Sequence, residues 1–422
     1  MTLLKPAWFA EPPVQRLLAA LDAASIDARF VGGCVRDTLL RLPIDDIDLA
    51  TPALPPAVIA ALGRARIKAL PTGLDHGTVT AVVPPRHFEI TTLRRDVETD
   101  GRHARVAFDA GWDEDAARRD FTINAMYLGA DGTLHDPVGG RADLGARHVR
   151  FVGDPATRIS EDVLRILRYY RFEARFGSDE GDAPARTACA AAVGLLPTLS
   201  AERVQRELLR LLATPDPGRA LILMRDDGVL AAILPEATRL DRLEKLLAIA
   251  TPTPTLLRMP GRDRVSAGGG LAFDSLLRLA ALIEVDRGAA LALAERLRLS
   301  TGERNRLASL AQPWPIDPED DPKTQRLAVY RLGSEGYRDL ALLAAADGLL
   351  APNRLRNLLE LAETWRVPVF PLRGDDVTAL GIAPGPRVGR LLGAVRRWWE
   401  DGDFAANRTQ CLVRLRELAS RF

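Results

Sequence analysis

The sequence predicts an α+β protein: a mixed α/β head followed by an elongated all-helical body. Three observations lead there. Period-two alternation of polar and apolar residues is confined to the first 150 residues. Beyond them Leu, Ala, Arg and Glu recur at helical spacing. Proline-, glycine- and acid-rich breaks then punctuate the helices at 178–184, 251–270 and 313–323. The 422 residues are enough for two to four domains at roughly 100–200 residues each. We divide them into a head (1–150), a helical neck (151–250) and a helical body with tail (251–422).

In the head, residues 12–24 have helical periodicity. Ala28–Val31 reads as a short strand ending at Gly32-Gly33, and a helix follows from Cys34 to about Leu42. Asp46–Ala50 alternates polar and apolar, as a half-buried strand does. Thr78–Val83 and His87–Leu93 read as a hairpin across Pro84-Pro85, residues 94–111 as a polar loop, and Trp112–Leu128 as a helix. In the rest of the chain the spacing predicts helices near 155–176, 201–213, 217–230, 236–248, 273–284, 287–298, 302–312, 324–332, 335–348, 352–365 and 385–399. No tandem repeat of fixed period is present.

Composition narrows the class. Hydrophobic residues at 47% and charged residues at 27% are ordinary for a globular chain. The longest charge-free runs, Leu49–Gly63 and Thr187–Ala201, contain proline and are too short to span a bilayer. The start lacks a basic segment followed by a clean apolar core, so no secretory signal is expected. Cys34, Cys189 and Cys411 are too few and scattered for a disulfide framework or a zinc site. These features predict a cytoplasmic protein with no membrane association and no obligate protein partner. Net charge is +1, so nucleic-acid binding would need a local basic patch. Of the 57 basic residues only four are Lys, and arginine's planar fork suits phosphates and base edges. No histidine lies beyond His148, which speaks against histidine-dependent metal chemistry in the remainder.

Four constellations carry chemistry. In Val31–Asp37 (VGGCVRD), Gly32 and Gly33 between a strand and a helix let backbone approach an anion at a helix N-terminus, and Arg36 could reach a phosphate. Alone, such a pair is most often just a turn. Asp46 and Asp48 are two apart on a strand and so share a face, where two carboxylates repel unless a cation neutralises them. Magnesium prefers such hard oxygen ligands, completed by water and substrate phosphates. A phosphate cradle 13 residues before a carboxylate pair is what nucleotidyl transfer needs, with metal ions serving the attacking hydroxyl and the leaving pyrophosphate. Glu89, on the next predicted strand, would be a third catalytic carboxylate; equally, it could be an outward-facing hairpin residue.

The third constellation is Arg118–Ala125, where Arg119 and Asn124 could hold the sugar or phosphates of a nucleotide, or simply belong to a capped helix. In the fourth, Asp162, Arg165, Arg168 and Arg171 recur every three residues and would form one ridge of a helix. An Asp–Arg pair matches the amino donor and ring-nitrogen acceptor shared by cytosine and adenine, and mismatches uracil and guanine. A solvated salt-bridge ladder has the same spacing.

Four segments together, VGGCVRD-TLLRLPIDDIDLATPALP, ARRDFTINAMYL, DPVGGRADL and ISEDVLRILRYYRFEARF, closely resemble the class II tRNA nucleotidyltransferases, the CCA-adding and poly(A) polymerase family. The resemblance is strong over about 28–215 and returns faintly in GDDVTALGIAPGPRVGRLL. It implies a polymerase-β-like head, a mixed sheet with flanking helices, and addition of CCA to tRNA from CTP and ATP. It implies that Asp46 and Asp48 bind Mg2+, and that Gly32, Gly33 and Arg36 hold the triphosphate. Arg119 would contact ribose or phosphates. Asp162 and Arg165 would read the base, with Arg168 and Arg171 on phosphate or in support. Leu199–Leu212 would brace the pocket, Glu202 and Arg203 being its polar contacts. The neck would select nucleotides and the body and tail bind tRNA.

Some relatives carry a histidine–aspartate phosphohydrolase domain after the body. The absence of histidine after 148 predicts no such activity, His135-Asp136 being part of the DPVGG segment. Arg94–Ala110 supplies the flexible loop that relatives adding only CC lack. The near-neutral charge and the ending RLRELASRF speak against the basic extension of bacterial poly(A) polymerases. A poly(A) polymerase and a partial CC- or A-adding enzyme remain the alternatives.

Overall fold

The computed structural model describes residues 3–44, 46–99, 104–178, 180–250, 274–311 and 320–420. The break expected at 251–270 and residues 313–319 of the one at 313–323 lie outside them, as do His103 and residues 100–103 of the expected loop. The chain divides into two units, one ending at Pro235 and the other beginning at Glu236.

The first unit opens with α1 (Pro12–Asp22), β1 (Arg29–Val31), α2 (Gly33–Leu39), β2 (Ile47–Thr51), α3 (Pro55–Arg64), β3 (Lys68–Gly73), β4 (Thr78–Val83) and β5 (Arg86–Thr92). The strands join one seven-stranded sheet in the order β3-β4-β5-β2-β1, extended by two further strands, β8 (Tyr127–Gly129) and β9 (Leu134–His135). Only β2 and β5 pair in parallel; the other neighbours are antiparallel. The hairpin expected across Pro84-Pro85 forms, with Val83 opposite Arg86. Alternate residues of β4 and β5, such as Val79, Ala81, Phe88 and Ile90, fill the core, which fixes the register because a one-residue slip would turn them to solvent.

Residues 94–111 correct the loop expectation. They contain β6 (Arg95–Thr99) and β7 (Ala104–Ala107), which form a separate two-stranded sheet. The sequence of β6, RDVET, has no apolar face, so periodicity could not mark it.

The helix expected at Trp112–Leu128 is also corrected. Only α4 (Trp112–Ala117) is helical; a single 3-10 turn at Thr122–Asn124 and then β8 follow. Local polar bonds compete with the helix here. Asp120 accepts the amide of Phe121 at 2.8 Å, and Phe121 is extended and bridges Phe151. Beyond β9 comes α5 (Gly140–Gly145), whose first two amides, of Gly140 at 2.7 Å and Arg141 at 2.9 Å, donate to the Asp136 carboxylate. A Cβ on Gly140 would stand 2.1 Å from the carbonyl oxygen of Thr122, so α5 closes directly onto the turn that carries Asn124.

The expected helix 155–176 is two helices, α6 (Pro155–Glu161) and α7 (Arg165–Phe176), broken at Asp162 (φ −152°, ψ 105°). Its carboxylate accepts the amide of Leu164 at 3.1 Å, a local bond that replaces the helical one. On α7, Ile166, Tyr169, Tyr170, Phe172, Glu173 and Phe176 are buried. Phe121 of the head meets Phe151 at 4.8 Å and Phe172 at 5.2 Å between ring centroids, which ties α7 to the sheet side of the unit. The unit continues through α8 (Ala183–Ala191), α9 (Ala201–Leu212), α10 (Gly218–Asp226) and α11 (Val229–Ile233). No helix is expected at α8, whose first residues fall in the expected break at 178–184.

Among its described residues the second unit is helical: α12 (Leu240–Ala250), α13 (Ser275–Leu282), α14 (Arg287–Arg296), α15 (Thr301–Leu310), α16 (Pro322–Ala346), α17 (Pro352–Thr364), α18 (Gly374–Thr378), α19 (Pro386–Asp401) and α20 (Arg408–Ala419). Gly333, at φ 73° and ψ 158°, interrupts α16 where two helices were expected. Helices α18 and α20 were not expected; the tail closes on Val377, Leu391, Val395, Trp399, Cys411 and Leu415. Asp339 is fully buried on α16 and is neutralised by Arg306 and by Arg338 at 3.0 Å. No helix among the described residues is long and apolar enough to cross a membrane.

Candidate active site

The sheet order places three features side by side. β1 ends at Val31, which stands opposite Asp48 on β2, and Asp48 stands opposite Glu89 on β5. Gly32 and Gly33 follow β1 immediately. Gly32 adopts φ 73° and ψ −128°, where a side chain would be strained, and Gly33 begins α2. Cys34 fastens α2 to the sheet: its thiol donates to the carbonyls of Val31 at 3.3 Å and Asp48 at 3.8 Å. Burial pushes that thiol up to about 12, so it is a packing group rather than a nucleophile.

Asp48 and Glu89, in register on parallel strands, leave the sheet on the same face. Asp48 is half-buried; Asp46 lies one residue before β2, exposed, rather than within the strand as expected. Burial, then the charges of Glu89 and Asp46, push the Asp48 carboxyl up to about 6, and Arg119 opposes them. Like charges held together this way call for a cation. Among the described residues no three acidic, histidine or cysteine side chains form a ready-made cage. An open carboxylate pair with a third across the ladder suits instead a hard divalent ion that keeps water and takes phosphate oxygens.

Arg119 overlooks the glycine turn. Its Nη1 would lie 4.0 Å from a Cβ on Gly32. It is aimed by Asp115 of α4, 1% exposed, whose Oδ2 accepts from Arg119 Nη2 at 2.9 Å and from the Tyr127 hydroxyl at 2.7 Å. The other oxygen, Oδ1, accepts from Arg118 Nη2 at 2.5 Å. Burial alone would raise the Asp115 carboxyl; Arg119 and Arg118 outweigh it and hold it below the usual range.

A second network links the glycine turn to α7 and α9. Arg36 donates to Asn124 Oδ1 at 2.7 Å and to Asp37 at 2.8 Å, and lies over the rings of Phe176 at 4.3 Å and Phe172 at 5.5 Å. Asn124 Nδ2 donates to Asp120 at 3.2 Å, and Asp120 also accepts from Arg168 Nε at 2.8 Å. Arg168 lies 3.9 Å from Glu207 of α9, which accepts from Arg171 Nε at 2.5 Å. Arg36, Asn124, Arg168 and Arg171 thus each have protein partners, and these join α2, which follows the glycine turn, to α7.

The break between α6 and α7 takes Asp162 out of the expected ridge, while Arg165, Arg168 and Arg171 remain three apart on α7. Asp162 precedes α7 and its carboxylate accepts from Arg203 of α9 at 2.8 and 2.9 Å. Arg165 heads α7; it pairs with Glu161 and donates to the carbonyls of Arg158 at 2.8 Å and Arg118 at 3.3 Å. The two are neighbours at the break, each held by other groups. Asp115, Asp120 and Glu207 were missed by the sequence reading. Asp115 had a signal, three and four residues before Arg118 and Arg119; Glu207 had none, because its partners come from another helix.

Residues 28–150 match the Poly A polymerase head domain, and residues 183–240 the family described as the probable RNA and SrmB-binding site of polymerase A. The chain is 34% identical over 393 residues to the mitochondrial CCA tRNA nucleotidyltransferase 1 of Mus musculus, spanning 92% of this chain and 86% of that protein. It is 30% identical over 413 residues to the CCA-adding enzyme of Limosilactobacillus fermentum, 93% of each. The crystal structure of the Bacillus stearothermophilus CCA-adding enzyme in complex with CTP matches with a TM-score of 0.74 and 28% identity, covering 97% of this chain and 98% of that one.

Proposed function

The chain belongs to the CCA tRNA nucleotidyltransferase family, and from that premise we propose how its residues perform the reaction. It is a nucleotidyltransferase that adds CCA to the 3′ end of tRNA from CTP and ATP. The terminal ribose 3′-hydroxyl attacks the α-phosphate of CTP, twice, then of ATP; each time an O–P bond forms and pyrophosphate leaves. The observation that carries the mechanism is the in-register pair Asp48 and Glu89 beside the Gly32 turn and Arg119.

Asp46 and Asp48, with Glu89 beside them, would hold Mg2+. That ion, when bound, offsets the repulsion among the carboxylates and supplies Lewis-acid stabilisation to the reacting phosphate. Gly32 and Gly33 admit the triphosphate to the start of α2, where backbone amides favour an anion. Arg119, fixed by Asp115, binds phosphate or ribose. Arg36, bonded to Asn124 and with its Nη2 3.7 Å from where a Cβ on Gly33 would stand, holds the triphosphate together with the two glycines, and Arg168 and Arg171 support α7. Asp162 and Arg165 read the base edge: Asp accepts from the amino group of cytosine or adenine, and Arg donates to the adjacent ring nitrogen. The body and tail are the tRNA-binding region in this proposal.

Cytoplasmic residence is part of the same proposal; the three free, buried cysteines fit a reducing compartment, although the mouse relative is named mitochondrial. The test is incubation with tRNA lacking its 3′ end, with CTP alone, ATP alone or both, followed by sequencing. Additions of two, zero and three nucleotides are expected. Long A tails with ATP alone would instead identify a polyadenylating enzyme, and two additions with both nucleotides a CC-adding one.

A further inference from the structure

The acceptor positions of Asp162 can be counted. A carboxylate oxygen has two lone-pair directions. Oδ1 takes the Leu164 amide at 3.1 Å and Arg203 Nη2 at 2.9 Å, and is filled. Oδ2 takes Arg203 Nη2 at 2.8 Å and keeps one direction open. The two side chains are 31% and 37% exposed, and ion pairs so open to water add little to stability. Arg203 does not follow Asp162 in the chain. It is carried by α9, which buries Val204, Glu207, Leu208, Leu211 and Leu212 and so presents the guanidinium from a fixed helix.

We infer that Arg203 is a specificity-positioning residue: it fixes the Asp162 carboxylate so that a single acceptor direction, on Oδ2, meets the exocyclic amino group of the incoming base. The inference rests on the reading of Asp162 as a base-reading group. A carboxylate free to rotate could find a second pose and accept from the ring N–H of uracil or guanine. Held from one side, it offers an acceptor where those bases present a carbonyl, and the mismatch stands. Arg203 thereby acts on discrimination through Asp162, not on the bond-making step.

The experiment measures kcat and KM for each of the four nucleotides with tRNA lacking its 3′ end, using Asp162→Ala, Arg203→Ala, Arg203→Lys and the Asp162→Ala/Arg203→Ala double variant. Arg203→Ala should lower the preference for CTP over UTP and ATP over GTP by about tenfold, the scale of one charge-assisted hydrogen bond. The change should fall in KM, with kcat for CTP retained. Arg203→Lys should keep the preference within about threefold, because an ammonium still donates to the carboxylate. The double variant should discriminate no worse than Asp162→Ala. Wild-type preference in Arg203→Ala, with preference lost in Asp162→Ala, would overturn the role of Arg203 alone. Wild-type preference in Asp162→Ala would remove the base-reading assignment itself. An equal loss for all four nucleotides in both Arg203 variants would make the residue a structural brace and also overturn the inference.

Discussion

Asp48 and Glu89 face each other across the one parallel ladder of the seven-stranded sheet, so two carboxylates share one face next to the glycine turn. A fold that sought stability alone would not place them there. The resulting repulsion, together with burial, is what pushes Asp48 up to about 6.

Removing one of these charges should separate stability from activity. Asp48→Asn should abolish transfer yet melt at a higher temperature than wild type at pH 8 without divalent cations, because a repulsive contact is lost. Asp46→Ala should abolish transfer with the fold intact, as an exposed residue adds little to the core. Product formation and thermal melts in parallel test both; activity within about tenfold of wild type in either variant would remove the metal-site assignment.

Asp115 should make the head sensitive to acid. Its carboxyl, like that of Asp120, lies below the ordinary value near 3.9, held there against burial by Arg119 and Arg118 in one case and Arg168 in the other. A group lowered in the folded state stabilises above its unfolded value, and that contribution is lost as pH falls through the folded one. Stability should therefore decline below about pH 4. Asp115→Asn should cost about 3 kcal/mol at pH 7 and flatten that decline. Denaturant melts at pH 7, 4 and 3 provide the check, and an unchanged slope would show that Asp115 is not the group responsible.

Glu207 is 3% exposed and accepts from Arg171 of a neighbouring helix. Glu207→Ala strands that guanidinium and should destabilise the protein by about 3–5 kcal/mol, the cost of breaking a buried ion pair. Glu207→Gln, which keeps an acceptor, should cost less. Chemical denaturation of the two variants decides; equal small losses would mean that the pair is unimportant to the helix contact.

Binding to tRNA should weaken steeply with salt although the net charge is only +1, because phosphate contacts depend on local arginines and release counterions. Six to ten contacts would cost about 10³-fold or more in affinity between 50 and 200 mM salt. Filter binding over that range tests this. A flat response would count against phosphate-driven docking.

Alternation and helical spacing were enough to place the strand before Gly32, the strand carrying Asp48, the hairpin carrying Glu89 and most of the later helices. These elements bury one face each, and burial writes itself into sequence as a period. The polar strand β6 and the short helices α8 and α18 left no such mark. The breaks at Asp120 and Asp162 were hidden for another reason: a side chain that takes over a backbone amide looks, in sequence, like any helix-surface aspartate.

By itself the sequence determined the chemistry: which carboxylates, which glycines and which arginines exist, and at what spacing. The tertiary structure alone decided their company. That Glu89 lies in register with Asp48 depends on a parallel pairing of strands about forty residues apart. That Arg203, and not Arg165, holds Asp162 depends on α9 packing against α7, and that Arg36 serves Asn124 depends on a turn 88 residues away. Spacing fixes neighbours only within an element; which distant group satisfies a charge is settled by which elements pack together, as α9 on α7 brings Arg203 to Asp162.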